Sequence, residues 1–215
     1  MTTYILTLSE KQSHTIIIAL QEFVSLRNND WTAFLTEMCT NKSQVNDAVK
    51  TFEEIMSAAC NGKPYWDTDN MDLAHKLSKL AERQQDMLLS EDKAKFVRNI
   101  LEEYFRLRLN QWFDFTTDVA TAGYIYDKTN PDNGRLFDKY IARRNNAQER
   151  FTETFGKLRD PFARQTDDML RAQEIWQVIR HRLYIDKGGD PNGWCVDARP
   201  PMSLTGEKLP AFTVI

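Results

Sequence analysis

The chain has 215 residues, 41% of them hydrophobic, with five Trp, seven Tyr and twelve Phe: enough to close a packed core in one large domain or two small ones. Its 28 basic and 31 acidic residues leave a net charge of -3, which supplies no global field to draw it onto DNA or an anionic membrane. A basic nucleic-acid groove is therefore disfavoured and any anion site must be a local cluster, and no apolar run approaches the ~18 to 20 residues needed to span a bilayer.

The N-terminal "TYILTL" is β-prone, and the opening "MTTYILTLSEKQ" lacks the charged-then-apolar plan of a signal peptide. Ser9 stands where an N-cap belongs, ahead of a helix whose apolar stripe is Ile16, Ile17, Leu20, Phe23, Val24 and Leu26. Asn29 marks a stop or bend, and Trp31 leads a second stripe of Phe34, Leu35 and Met38. "SQVNDAVKTFEEIMSAAC" predicts a further helix with Val45, Val49, Phe52, Ile55, Met56 and Ala59 inward, ended by Asn61-Gly62 and Pro64. After the loop "NGKPYWDTDN", the stretch "DLAHKLSKLAERQQDML" predicts a helix with Leu73, Leu77, Leu80 and Met87 as its stripe.

From Ser90 the chain repeats itself. A shift of 81 residues lays "LSEKQSHTIIIALQEFVSLRNNDWTAFLTEM" over "LSEDKAKFVRNILEEYFRLRLNQWFDFTTDV", matching Leu26-Arg27 to Leu107-Arg108, Asn29 to Asn110, Trp31 to Trp112 and Phe34 to Phe115. Ser90 is the second N-cap, and the second helix carries Phe96, Val97, Ile100, Leu101, Tyr104, Phe105 and Leu107, followed by Phe113, Phe115 and Val119. The repeated phrase is the elbow of a helical hairpin, and its Trp is expected to wedge the two helices or to pack between copies. Arg27 and Arg108 share one role if the copies face each other across a twofold axis.

The turn-rich "NPDNG" at 130–134 opens a long helix through about Lys157, with Phe137, Tyr140, Ile141, Phe151, Phe155 and Leu158 inward, broken by Asp160-Pro161. A last helix, "DDMLRAQEIWQVIRHRLYID", stops at Gly188-Gly189. The proline-bearing tail that follows has no helical period and is expected to run extended, ending in "FTVI", whose simplest partner is "TYILTL".

Little in the chain resembles catalytic machinery. His14, His75 and His181 lie on unrelated helices, the acidic pairs Glu53-Glu54, Glu102-Glu103 and Asp167-Asp168 splay, and Cys39, Cys60 and Cys195 lack zinc spacing. No catalytic residue, metal site or cofactor is expected, and the cysteines read as free thiols in a reducing cytoplasm. In "IRHRLY" the helical angles put Arg180 and Arg182 on opposite borders of the buried stripe, with Tyr184 one turn beyond Arg180; Arg182 is also placed to pair with Asp186. Guanidinium forks match phosphate and carboxylate, so Arg143, Arg144 and Arg180, with Tyr184, Trp194 and Arg199, form the candidate ligand-binding set. Arginines facing solvent or draped on the core explain the same letters.

Two stretches carry a family resemblance: "EEYFRLRLNQW", and "VIRHRL" followed by "PMSLTGEKLP". They resemble a group of small tailed-bacteriophage proteins whose early helix reads like "ALxxYSRIxMGQF" and whose end reads like "VIRHRL" with a "PMxxSGExLP" tail. Tyr104, Arg106, Leu107, Gln111 and Trp112 fill the first pattern; Val178 to Leu183, Pro201, Met202, Gly206, Glu207, Leu209 and Pro210 fill the second. The likeness covers about residues 89 to 215, and this chain departs from it at Asn110, where the pattern has glycine, and in its additional hairpin copy. It implies a phage accessory protein acting in the host bacterial cytoplasm.

The expected fold is mainly α: two tandem helical-hairpin modules, 1–88 and 89–215, with a terminal β pairing and an extended tail. The expected function is anti-defence by binding, either sequestering a small anionic, nucleotide-like ligand or blocking a host protein. A nucleotide or phosphodiester hydrolase and a minor virion structural or assembly protein are the alternatives, and homo-oligomers are compatible with any of them.

Overall fold

A computed structural model describes residues 2–63, 65, 67–83, 85–122, 124, 131–160 and 165–215. The chain is mainly α-helical with one small antiparallel sheet. In chain order it forms β1 (Thr3–Thr7), α1 (Glu10–Arg27), α2 (Thr32–Met38), α3 (Val45–Ala59), α4 (Thr68–Arg83), β2 (Asp86–Ser90), α5 (Glu91–Arg108), α6 (Phe113–Ala122), α7 (Asn133–Leu158), α8 (Asp167–Asp186) and β3 (Ala211–Val214), with 3-10 turns at Lys42–Gln44 and Val196–Ala198. One strand followed by four helices is thus written twice, and the tail follows. Parts of the loops predicted around Pro64, Trp66, Asn130 and Pro161 lie outside the described residues.

The chain divides into two compact units, each drawing on both sequence copies. The first comprises Met1–Phe23, Asp72–Phe105 and Arg164–Ile215; the second comprises Val24–Met71 and Arg106–Ala163.

In the first unit β1 is the central strand of the order β2-β1-β3. Alternation buries Tyr4 and Leu6 on β1, Met87 and Leu89 on β2 and Phe212 on β3, and the Tyr4 and Phe212 rings stack at 4.7 Å. The β1–β3 pairing is the expected joining of the two chain ends. β2 corrects the helix expected to run through Met87, because α4 stops at Arg83 and Met87 is buried in a strand. The β1–β2 register sets Leu6 opposite Met87, two residues 81 apart, so the ladder maps onto itself under the duplication. Both predicted N-caps form: Ser9 Oγ accepts from the Gln12 amide at 3.3 Å while Gln12 Oε1 accepts from the Ser9 amide at 2.9 Å, and Ser90 Oγ accepts from the Lys93 amide at 3.4 Å.

The second unit is built on the two elbows. Asn29 and Asn110 adopt φ of 62° and 63°, the left-handed conformation that Asn accepts more readily than most residues with a Cβ. Each then accepts a hydrogen bond on Oδ1 from the indole two residues on, at 2.8 Å from Trp31 and 2.7 Å from Trp112. The indoles are sealed in a core with Phe34, Phe52, Phe115, Phe151 and Phe155. Their packing crosses copies: Trp31 meets Phe115 at 5.6 Å and Trp112 meets Phe34 at 6.0 Å. Phe52 of α3 and Phe151 of α7 each touch both indoles, and Ala48 and Ala147 are buried one turn before them. The repeat therefore extends into the third helix at an offset of 99 residues rather than 81. Phe113 and Phe137, expected inward, are about half exposed, at 49% and 51%. The Phe113 face carries the Arg144 guanidinium at 5.1 Å, and Phe137 meets Tyr124 and Tyr140 at 6.4 and 5.9 Å.

Candidate binding surfaces

The candidate residues Arg180, Tyr184, Trp194 and Arg199 all belong to the first unit, where the tail returns over α8. Three charged groups of α8 that helical periodicity cannot distinguish from surface residues are buried there: Arg171, Glu174 and Arg180. Glu174, with no exposed surface, receives the tail: its carboxylate accepts the Thr205 amide at 2.7 Å, the Thr205 hydroxyl at 2.9 Å and the Ser203 hydroxyl at 3.2 Å. Gln177 Oε1 accepts the Met202 amide at 3.0 Å, and Arg171 donates to Glu207 at 3.1 Å, with Lys11 reaching the same carboxylate at 3.0 Å. Those contacts hold the Glu207 carboxyl below its ordinary range, the Arg171 hydrogen bond first. The "PMSLTGEKLP" stretch is thus a strap, and its polar residues serve anchorage.

Arg180 is 5% exposed and committed to the same anchorage. Its guanidinium lies over the Trp176 ring at 4.5 Å, with Nη2 donating to the Arg199 carbonyl at 3.4 Å and Asp197 at 3.8 Å from Nε. Burial lowers its pKa, with Asp197 opposing. Arg182 pairs with Asp186 at 2.9 Å, the i,i+4 bridge its spacing suggested. Tyr184 packs over Gly189, where any Cβ would fall 2.4 Å from its ring, so that position requires glycine. Four apolar side chains of the tail are exposed, Trp194 at 100% and also Val196, Met202 and Leu204, among exposed polar residues that include Asp197, Arg199 and Lys208.

Arg143 and Arg144 belong to the second unit. Arg144 turns to Asn145 Oδ1 at 2.9 Å and to the Phe113 face. Arg143 is half-buried; its Nε is sealed from solvent without a hydrogen-bond partner, and no described acid lies within ion-pair distance.

The internal repeat supplies its own comparison at this end of the unit. Arg27 donates to Asp118 at 2.6 Å and Arg108 to Glu37 at 2.7 Å; the two arginines are 81 residues apart, and so are the two acids. Each guanidinium is essentially unexposed and also lies over the other copy's phenylalanine, Arg27 over Phe115 at 5.4 Å and Arg108 over Phe34 at 5.5 Å. Arg27 and Arg108 therefore do share one role, as reciprocal struts. Around the struts the copies diverge. Beside Arg108, Arg159 donates to the Arg108 carbonyl at 2.7 Å. The residue 99 positions earlier is Cys60, whose thiol burial lifts to about 11, with Asp118 adding to the rise and Arg143 opposing it. Asp118 also accepts the Tyr65 hydroxyl at 2.9 Å, and burial raises the Tyr65 pKa, which keeps that phenol neutral.

Among the described residues no group of His, Cys, Asp and Glu side chains is set to hold a metal ion, and no helix is long and apolar enough to cross a membrane. A groove of about 690 Å³ in the first unit, between α1, α4 and the start of α8, mixes Lys11, Arg83 and Arg171 with Glu10, Glu82 and Asp167. Lys11 and Arg171 there are taken by Glu207 and the α8 acids. Compared with known protein families, curated proteins and solved structures, the chain finds no match.

Proposed function

We propose that this chain is a phage-encoded accessory protein that acts on its bacterial host by binding, and that its partner is a host protein docking on the outer side of the strap. The observation that carries the reading is Trp194, an indole with its whole side chain in solvent, on a tail whose backbone is pinned by Glu174 and Gln177. A large exposed indole is the kind of side chain that becomes an interface hot spot when a partner covers it. Val196, Met202 and Leu204 on the same tail are exposed as well. The resemblance of the tail to phage proteins supplies the provenance. Capture of an anion at the same corner is less favoured, because Arg180 is occupied by Trp176, Asp197 and the Arg199 carbonyl.

The test is cross-linking in the bacterial host with wild type, Trp194→Ala and Met202→Ala. One host protein recovered in stoichiometric amount with wild type, and reduced about tenfold or more by Trp194→Ala, supports the reading. Equal recovery with both variants sinks it. Both side chains are exposed, so the variants should melt with the wild type.

A further inference from the structure

The two edges of the first unit's sheet are not alike. The Leu8 amide donates to the Gln85 carbonyl at 2.9 Å, and the Ile215 amide to the Thr3 carbonyl at 3.1 Å. Backbone groups alternate in direction along a strand, so these two bonds fix the whole pattern. β1 turns Tyr4 and Leu6 toward β2, and Thr3, Ile5 and Thr7 toward β3. On β2 the N–H and C=O groups of Asp86, Leu88 and Ser90 therefore point away from β1, and on β3 those of Phe212 and Val214 do. Phe212 is only 5% exposed, so the middle of the β3 edge is covered. Asp86 and Leu88 are both exposed, Leu88 at 54%, and among the described residues no strand lies beyond β2. β2 thus offers an open row of backbone donors and acceptors beside a large apolar side chain.

The duplication indicates what such a row accepts. Leu6 and Met87, 81 residues apart, face each other, so the β1–β2 ladder is already one strand paired antiparallel with its own duplicate. The outer edge of β1 is filled by β3, but the tail is written once, and the equivalent edge of β2 goes without it. The residues of β2 permit the same self-pairing between molecules. With Leu88 on a twofold axis, Leu88 meets its counterpart, Met87 opposes Leu89 and Asp86 opposes Ser90, so outward-turned residues meet outward-turned residues. The one charge on the strand then faces a hydroxyl. The two Asp86 carboxylates lie four positions apart, about 13 Å along the ladder, beyond the ~8 Å screening length of physiological salt. The two Leu88 side chains, exposed in a single copy, cover each other on the outer face.

We propose that β2 is a self-association edge: two copies of this chain join β2 to β2 antiparallel about Leu88, each Leu88 N–H donating to the other copy's Leu88 carbonyl, to give one continuous six-stranded sheet. This interface is independent of the strap and of the host-protein reading.

Sedimentation equilibrium on the full chain, from micromolar to millimolar concentration, tests it with wild type, Leu88→Lys and Val214→Lys. Wild type should show a reversible monomer–dimer equilibrium. Leu88→Lys sets two like charges against each other at the axis and should weaken dimerisation about tenfold or more. Val214→Lys, on the other edge of the sheet, should dimerise as wild type. A second pair of variants reads the register directly. Leu88→Cys in a Cys195→Ser background should form an interchain disulfide under mild oxidation, because residues paired across a ladder have Cα atoms about 5.5 Å apart, within disulfide reach. Val214→Cys in the same background should not. If Leu88→Lys does not fold, the disulfide pair decides. The proposal is overturned if wild type stays monomeric up to millimolar concentration, if Leu88→Lys dimerises as tightly as wild type, or if Val214→Lys costs as much. It is equally overturned if Leu88→Cys fails to cross-link or if Val214→Cys cross-links in its place.

Discussion

The Arg27–Asp118 and Arg108–Glu37 ends of the second unit start from two copies of the repeated phrase and reach the same strut, yet their neighbours differ in kind. One end is finished by Arg159 on a carbonyl; the other has Cys60, Tyr65 and the unpartnered Arg143. A duplication makes the two ends experiments on each other. What they share, the left-handed Asn, the buried indole and the crossed arginine, is what the core requires; what only one possesses is free to serve something else.

Replacing an indole should have the largest effect. Trp31→Ala and Trp112→Ala should each cost about 3–5 kcal/mol in chemical denaturation, since each empties a core position packed by the other copy's phenylalanine. Tolerance of one but not the other would break the equivalence. Next come the acids. Asp118→Asn should cost about 2–4 kcal/mol and Glu37→Gln about 1–2 kcal/mol, because Asp118 holds both Arg27 and Tyr65 while each carboxylate keeps 40% exposure and part of its hydration. Equal losses would mean that Tyr65 adds nothing.

Cys60 sharpens the comparison through pH. Its folded pKa, about 11, lies above the ordinary thiol value of 9, so the native state keeps a proton that the unfolded chain gives up. The stability this contributes is complete below about pH 9 and fades toward pH 11, by up to about 2 kcal/mol. Wild type should therefore lose stability in alkaline titration relative to Cys60→Ala; parallel curves would show that the Asp118 end admits water. The smallest effect is expected at the elbows, where Asn29→Ala and Asn110→Ala should each cost about 1–2 kcal/mol. Glycine at the same positions should restore the backbone part and leave the indole without its acceptor.

Most of the helical architecture is legible in the residues because apolar spacing, Ser caps and glycine stops are local signals. Ser9, Ser90, Asn61-Gly62 and Gly188 all act where their chemistry places them. β2 is different: "DMLLS" has too short a pattern to separate strand from helix end, and only its partner β1 decides the matter. The duplication held the missing clue, since a β-prone segment before Ser9 implies one before Ser90. The burial of Arg171, Glu174 and Arg180 was not legible for a related reason. On a helical wheel they are surface residues, and they become interior only when a tail of no fixed period lies across them. Arg143 was legible as a candidate from its residue type; its lack of a partner is a property of the fold alone.

The central position of β1 bears on how the chain is made. β1 acquires one neighbour from mid-chain and the other from Ala211–Val214, so its second edge stays open until the chain has been synthesised through β3. Nascent chains stalled before Phe212 should carry a sticky strand and recruit holdase chaperones, and emergence of β3 should end that vulnerability at a stroke.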